Sequence, residues 1–195
     1  KIYADYVAHR PFVSFYKTND PKIPGANKNI FRNSNLLYVH IPKTAGTSVR
    51  KTLNEVEKTW DTSTSGLQPD LSILPNHVKA GDLRAFMGSD QYERHFTFTF
   101  VRNPWDLMVS SFFWWRQKAM RFGGSVYWSA IIRNMSFDEF IKSPYGRYFI
   151  NEYHGTMSEW FQHNGKDLID YIGRVEFLED DLKAIARLNN IPERA

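Results

Sequence analysis

Short apolar runs alternate with amphipathic and polar stretches along this chain, and the pattern predicts strands alternating with helices. Leu36-Leu37-Tyr38-Val39-His40-Ile41 is a compact apolar run and reads as a buried strand, followed by a helix from Thr47 to about Val56. Phe96-Thr97-Phe98-Thr99-Phe100-Val101 is aromatic and β-branched and reads as an interior strand. A helix from Pro104 to about Arg121 follows it. Between these units, His77-Val78-Lys79-Ala80 reads as a short strand and Asp82 to Met87 as a helical turn. In the last third, Ser136 with Glu139 three positions on is a capped helix start. Asn164-Gly165 predicts a hairpin within Met157 to Ile172. Tyr171 to Phe177 reads as a strand returning to the sheet. Leu182, Ile185, Ala186 and Leu188 give helical spacing to Leu178–Leu188. Strands alternating with helices predict an α/β fold with a mainly parallel sheet and ligands at the strand carboxyl ends.

Boundaries follow from the same pattern. Lys1 to Arg32 is polar, with turn signals at Asn19-Asp20-Pro21 and Pro24-Gly25, so residues 1–34 are expected as an arm packed on a single domain, 35–195. Thr59 to Pro75 is rich in Thr, Ser, Pro and Asp and reads as a loop. On the helix beginning at Pro104, Trp105, Met108, Val109 and Phe112 form one stripe that is expected in the core. Trp114 falls off that stripe. Burial under the C-terminal segments is its expected fate, ahead of an exposed role stacking on a sugar.

Candidate chemistry gathers where strands give way to helices. After the first strand comes Pro42-Lys43-Thr44-Ala45-Gly46-Thr47-Ser48, a tight loop with one lysine and a hydroxyl-rich helix start. Such a junction aims backbone N–H groups at one spot, which suits phosphate or sulfate. It is not a Walker A loop, because Lys43 precedes Gly46 by three positions and no Gly-Lys pair occurs there. Gly46 is expected to let the backbone approach a ligand closely. The second strand ends in Arg102-Asn103-Pro104-Trp105. Asn103 suits an N-cap and Pro104 the first helical position. Ser110, seven residues after Asn103, shares a face with the helix start, so Arg102 and Ser110 are placed to converge on one anion. An ordinary capped turn explains either segment alone, but explains less well two such junctions in one chain.

Composition excludes more than it identifies. There is no cysteine, so disulfides, thiolate zinc sites and cysteine nucleophiles are ruled out. The net charge of +4, without a basic run, gives no case for nucleic acid. No apolar run reaches membrane-span length and no signal-peptide pattern is present. A cytoplasmic location is expected, or a Golgi lumen if this is an excised catalytic domain. The chain begins at Lys1, which leaves room for upstream residues.

Ile-Pro-Lys-Thr-Ala-Gly-Thr-Ser after one strand and Val-Arg-Asn-Pro-Trp-Asp-Leu-Met-Val-Ser-Ser after another resemble the sulfotransferases that use 3′-phosphoadenylyl sulfate (PAPS), in the branch of carbohydrate sulfotransferases and their bacterial relatives. The likeness runs from Leu36 to about Leu188 and includes the Gly-Arg-x-Glu-x-Leu stretch at Gly173. It implies a P-loop-NTPase-like three-layer fold with a central, mainly parallel sheet flanked by helices. It also implies PAPS as donor, PAP (3′-phosphoadenosine 5′-phosphate) as product, no metal, and a glycan or small-molecule acceptor. The 5′ side would be held by Lys43, Thr44, Ala45, Gly46, Thr47 and Ser48, and the 3′-phosphate by Arg102 and Ser110. Lys43 would also act on the leaving oxygen. His77, between the two motifs, is the candidate base among six histidines; a carboxylate base is its rival, but the sequence singles none out, and Glu176 and Arg174 either pair structurally or reach the site. His40 is expected to be structural; nothing distinguishes His95, His154 or His163. Family members carry a further C-terminal segment that closes the cofactor site, so an end at Ala195 implies an incomplete C-terminus. A P-loop kinase would require the missing Gly-Lys-Ser/Thr loop. A non-catalytic nucleotide-binding protein of the same fold is the other alternative.

Overall fold

The computed structural model describes residues 29–59, 71, 74, 76–121, 131–148 and 155–191, and every structural statement below concerns these residues. Most of the N-terminal arm, and most of the loop expected at Thr59 to Pro75, lie outside them.

Two-sided burial sets the architecture. Leu36, Leu37, Tyr38, Val39 and Ile41 are all fully buried, as an interior strand requires. Strand β1 (Ile30–Phe31) pairs antiparallel with β2 (Leu36–Tyr38), which runs parallel to β3 (Phe96–Val101), which runs parallel to β6 (Tyr171–Arg174). The order β1-β2-β3-β6 is the mainly parallel sheet expected. Helices cover both faces. On one, Leu36, Tyr38, Phe98 and Phe100 pack with Val49 and Leu53 of α1 (Gly46–Thr59) and Ile185 of α7 (Leu178–Leu188). On the other, Leu37 and Val39 pack with Leu83 and Met87 of α2 (Ala80–Met87) and Tyr92 of α3 (Ser89–Glu93). Alternate strand residues thus feed opposite layers, and each buried Phe stabilises the fold by roughly 1.5–3 kcal/mol.

Helix α4 (Pro104–Arg121) leaves the end of β3 and builds its own cluster: Met108, Phe112 and Trp115 pack on Ile132 and on Phe140 of α5 (Phe137–Lys142). The capping box expected at α5 is complete, with Ser136 and Glu139 each accepting from the other's backbone N–H. A five-residue helix, α6 (Pro144–Tyr148), follows. The hairpin at Asn164-Gly165 forms as β4 (Gln162–His163) and β5 (Lys166–Asp167), with both turn residues at positive φ. A 3₁₀ turn at Met157–Trp160 occupies the segment before it.

Three expectations fail in instructive ways. No strand forms at His77–Ala80: residues 77–79 pair with no strand, and Ala80 already opens α2. The edge beside β2 is taken instead by Ile30–Phe31, two residues assigned to the arm. The returning strand stops at Arg174, and Val175–Phe177 turn into a short 3₁₀ segment leading to α7. The α4 stripe is rotated. Met108 and Phe112 are buried as expected, but Trp105 is 78% exposed and Val109 38%, while Leu107, Ser111 and Trp115 are buried in their place. Spacing predicts that a helix has an apolar face; the neighbours decide its phase.

Candidate functional site

Both strand-to-helix junctions lie at the carboxyl ends of adjacent parallel strands, β2 and β3. At the first, Lys43 and Ala45 adopt left-handed backbone, φ 64° and 61°, with Thr44 between them at negative φ. This alternation turns successive N–H groups into one concavity suited to an anion. The Gly46 and Thr47 amides at the start of α1 add to it, whereas those of Ser48 and Val49 donate to the Ala45 carbonyl at 2.9 and 3.1 Å. Non-glycine residues adopt this backbone only when their surroundings impose it.

The surroundings are a buried column beneath the loop. The Tyr38 ring stacks on Phe98 at 5.1 Å and on His40 at 5.2 Å, and His40 meets His77 at 4.2 Å. The Tyr38 hydroxyl donates to the Thr44 carbonyl at 3.5 Å. Burial pushes that phenol upward, so it stays protonated as the donor. Thr44 is itself fully buried, and its hydroxyl donates to the Ile41 carbonyl at 2.8 Å. The Thr44 side chain therefore faces the interior, and its hydroxyl, expected as a donor to a ligand, is bonded within the protein instead. Thr47 and Ser48 are exposed at the helix start.

Gly46 has a sharper purpose than ligand access. A Cβ there would sit 1.8 Å from Nε2 of His40, so the histidine ring occupies the space a side chain would need. His40 is buried, its Nδ1 has no hydrogen-bond partner, and burial, reinforced by His77, Arg50 and Lys43, holds it well below the ordinary histidine value. It is a neutral strut beneath the loop, in keeping with the structural role expected.

Cations surround the concavity. Arg50 donates through Nε to the Gly46 carbonyl at 3.3 Å and through Nη1 to Asn76 Oδ1 at 2.7 Å. Arg102 donates through Nη1 to the Lys43 carbonyl at 3.2 Å, which ties the second junction to the first. The Lys43 ammonium lies 5.1 Å from the centre of the Trp114 ring. Trp114 is half-buried against the α4–α5 cluster rather than under the C-terminal segments. Ser110 is one turn before Trp114 on the same side of α4, so the second motif's serine is on the helix face that meets Lys43.

At the second junction the cap expected at Asn103 is present: its side-chain oxygen accepts from the Trp105 N–H at 2.9 Å. Glu176 accepts from the Asn103 N–H at 2.6 Å, and this bond holds its carboxyl below the usual glutamate range. Glu176 thus buttresses the helix start. Arg174 lies over the Phe177 ring at 5.2 Å, and its N–H bonds Asp181 at 2.6 Å. His77 is half-buried, with Nδ1 3.0 Å from the His40 carbonyl. A carbonyl only accepts, so Nδ1 carries the proton and the basic lone pair lies on Nε2. Among the described residues no group of acidic, histidine or cysteine side chains could hold a metal, and no helix is long and apolar enough to cross a membrane.

The structure thus brings Lys43, the loop amides, Arg102, His77 and the Ser110 face of α4 around adjacent strand ends. Sequence reasoning missed Arg50, Asn76, Tyr38 and Thr99, whose hydroxyl donates to the Val39 carbonyl at 2.7 Å. Arg50 had a signal: one turn into α1, it shares the face of Gly46.

A backbone nest ringed by cations at parallel strand ends is the arrangement of α/β proteins that bind phosphate- or sulfate-bearing ligands. The sulfotransferase family profile matches residues 27–195, and the chain belongs to that family. Membership supports sulfotransferase activity as a class. The chain is similar to an uncharacterized protein of Archaeoglobus fulgidus, 27% identical over 113 residues, which cover 57% of this chain and 81% of that protein. No solved structure matches it.

Proposed function

We propose that this chain transfers the sulfuryl group of PAPS to a hydroxyl or amine of an acceptor, a carbohydrate or other small molecule, and releases PAP. The observation that carries the reading is the left-handed turn at Lys43 and Ala45, held by buried side chains and tied to Arg102. It supplies preformed amide donors and an ammonium at one point, which fits an activated sulfate on a phosphate leaving group.

When bound, PAPS supplies a sulfuryl group whose transfer breaks the bond between sulfur and the 5′-phosphate oxygen. The amides of Thr44 to Gly46 and the hydroxyls of Thr47 and Ser48 would hold that phosphate. Lys43 would offset the charge that grows on the departing oxygen. Arg102 and Ser110 would grip the 3′-phosphate, Arg102 with a fork of donors suited to it. His77 would take the acceptor's proton through Nε2, its tautomer set by the His40 carbonyl. Transfer is then mostly positioning and charge stabilisation, which need no metal.

Two measurements test this. Calorimetry with PAP should give saturable heat, and labelled sulfate should pass from PAPS to at least one member of a panel of glycans and small hydroxyl or amine compounds. Folded protein that shows neither overturns the reading. His77→Ala should lower kcat by ~10²-fold or more at neutral pH and remove the acidic limb of its pH profile; an unchanged profile points to another base.

A further inference from the structure

Trp114, expected to lie buried under the C-terminal segments, instead meets the one lysine of the candidate anion loop. The ring stands edge-on against Trp115, with centroids 4.8 Å apart and an interplanar angle of 83°. That contact roots it in the α4–α5 cluster. The Lys43 ammonium is 5.1 Å from its centre, within range of the ring's negative face. Lys43 has a left-handed backbone and a carbonyl bound by Arg102, so its main chain is pinned at the loop. Arg50 and Arg102 add positive charge around the same loop. Like charges repel an ammonium, and an aromatic face attracts one without supplying an anion.

We infer that Trp114 is the positioning residue for Lys43: its ring holds the ammonium at the loop in the nucleotide-free protein and yields it to the bound anion. This rests on the loop being the PAPS site. A ring contact is weak beside an ammonium–oxyanion bond, so a phosphate or sulfate oxygen displaces it readily. The ring favours the stem orientation that keeps the ammonium at the loop. The geometry also explains why a tryptophan stands one turn beyond Ser110. One helix face then serves both the 3′-phosphate candidate and the lysine.

The test reads the pair directly. Reductive methylation with ¹³C-labelled formaldehyde keeps lysines charged and gives each an NMR signal; Lys43→Arg assigns the Lys43 resonance. In nucleotide-free protein that signal should lie upfield of the exposed lysines, through the ring current of Trp114. Trp114→Leu should return it to their position, and saturating PAP should move it in wild type. Trp114→Leu should lower kcat about tenfold with little change in KM for PAPS, and Trp114→Phe should recover most of the loss. An undisplaced Lys43 signal in wild type overturns the inference, as does a Trp114→Leu enzyme with wild-type kcat. Calorimetric heat from PAP with no movement of the signal overturns the inference alone. A displaced signal with no heat on PAP addition overturns the donor-site reading, and the release step with it.

Discussion

The two strand-to-helix junctions look equivalent in sequence and are built in opposite ways. The loop after β2 is made from below. Tyr38, His40 and Thr44 are buried under it, and the space at Gly46 is filled by an imidazole. The junction after β3 is made from the side: Asn103 caps its own helix, Glu176 reaches in from the end of β6, and Arg102, Pro104, Trp105 and Asp106 are exposed or half-exposed. The first is therefore coupled to the core and preorganised, so damage to it should reach both stability and function. The second is a surface assembly of side chains, and damage to it should reach binding alone.

Gly46→Ala should have the largest effect, because the new Cβ meets the His40 ring with no room to yield. A loss of about 1–3 kcal/mol or more in chemical denaturation is expected, together with loss of PAP binding. Gly46→Ala with His40→Ala should recover part of the stability; a fully additive double mutant would show that the two do not meet. Lys43→Ala comes next. Its kcat should fall ~10²–10³-fold with the melting temperature little changed, because the half-buried side chain leaves the loop's buried column intact. Arg102→Ala should raise the dissociation constant for PAP ~10–100-fold, by analogy with the loss of a charged hydrogen bond, while its melting temperature stays near wild type. Equal stability losses for Gly46→Ala and Arg102→Ala would erase the contrast between the junctions.

The smallest effect is one of pH. His40 has a depressed value in the folded protein, so the unfolded chain takes up its proton first as pH falls. Stability is full above the ordinary histidine value of 6.5 and declines below it, toward the lower folded value. The slope is at most about 1.4 kcal/mol per pH unit. His40→Asn should reduce the slope of the melting-temperature profile between about pH 6.5 and 5, leaving the part contributed by His95, which burial also holds below the ordinary value. A wild-type profile already flat there would show that His40 is not the neutral strut described.

Local order made much of this molecule legible. Strand Phe96–Val101 and helix Pro104–Arg121 carry their own boundaries in a β-branched aromatic run, an Asn cap and a proline at the first turn. The α5 capping box and the Asn164-Gly165 turn are equally self-contained. The candidate anion loop was visible because a strand, a lysine, a glycine and a hydroxyl-rich helix start are contiguous. What distant parts of the chain contribute was not visible. His77–Ala80 has strand-like residues but no strand beside it, while Ile30–Phe31, too short for any periodicity, finds the β2 edge. Trp105 fits an apolar stripe by spacing, yet the cluster built with Ile132 and Phe140 turns α4 toward Trp115 and leaves Trp105 in solvent.

The sequence by itself determined the elements that carry their own local signals, such as β3, α4, the α5 cap and the Asn164-Gly165 turn, because caps, turns and apolar periods act over a few neighbouring residues. Only the tertiary structure decided what stands beneath and beside that chemistry. The His40 ring against Gly46, the Arg102 bond to the Lys43 carbonyl and the Trp114 face under the Lys43 ammonium join residues from different elements. Close packing chooses such neighbours, and no local pattern encodes them.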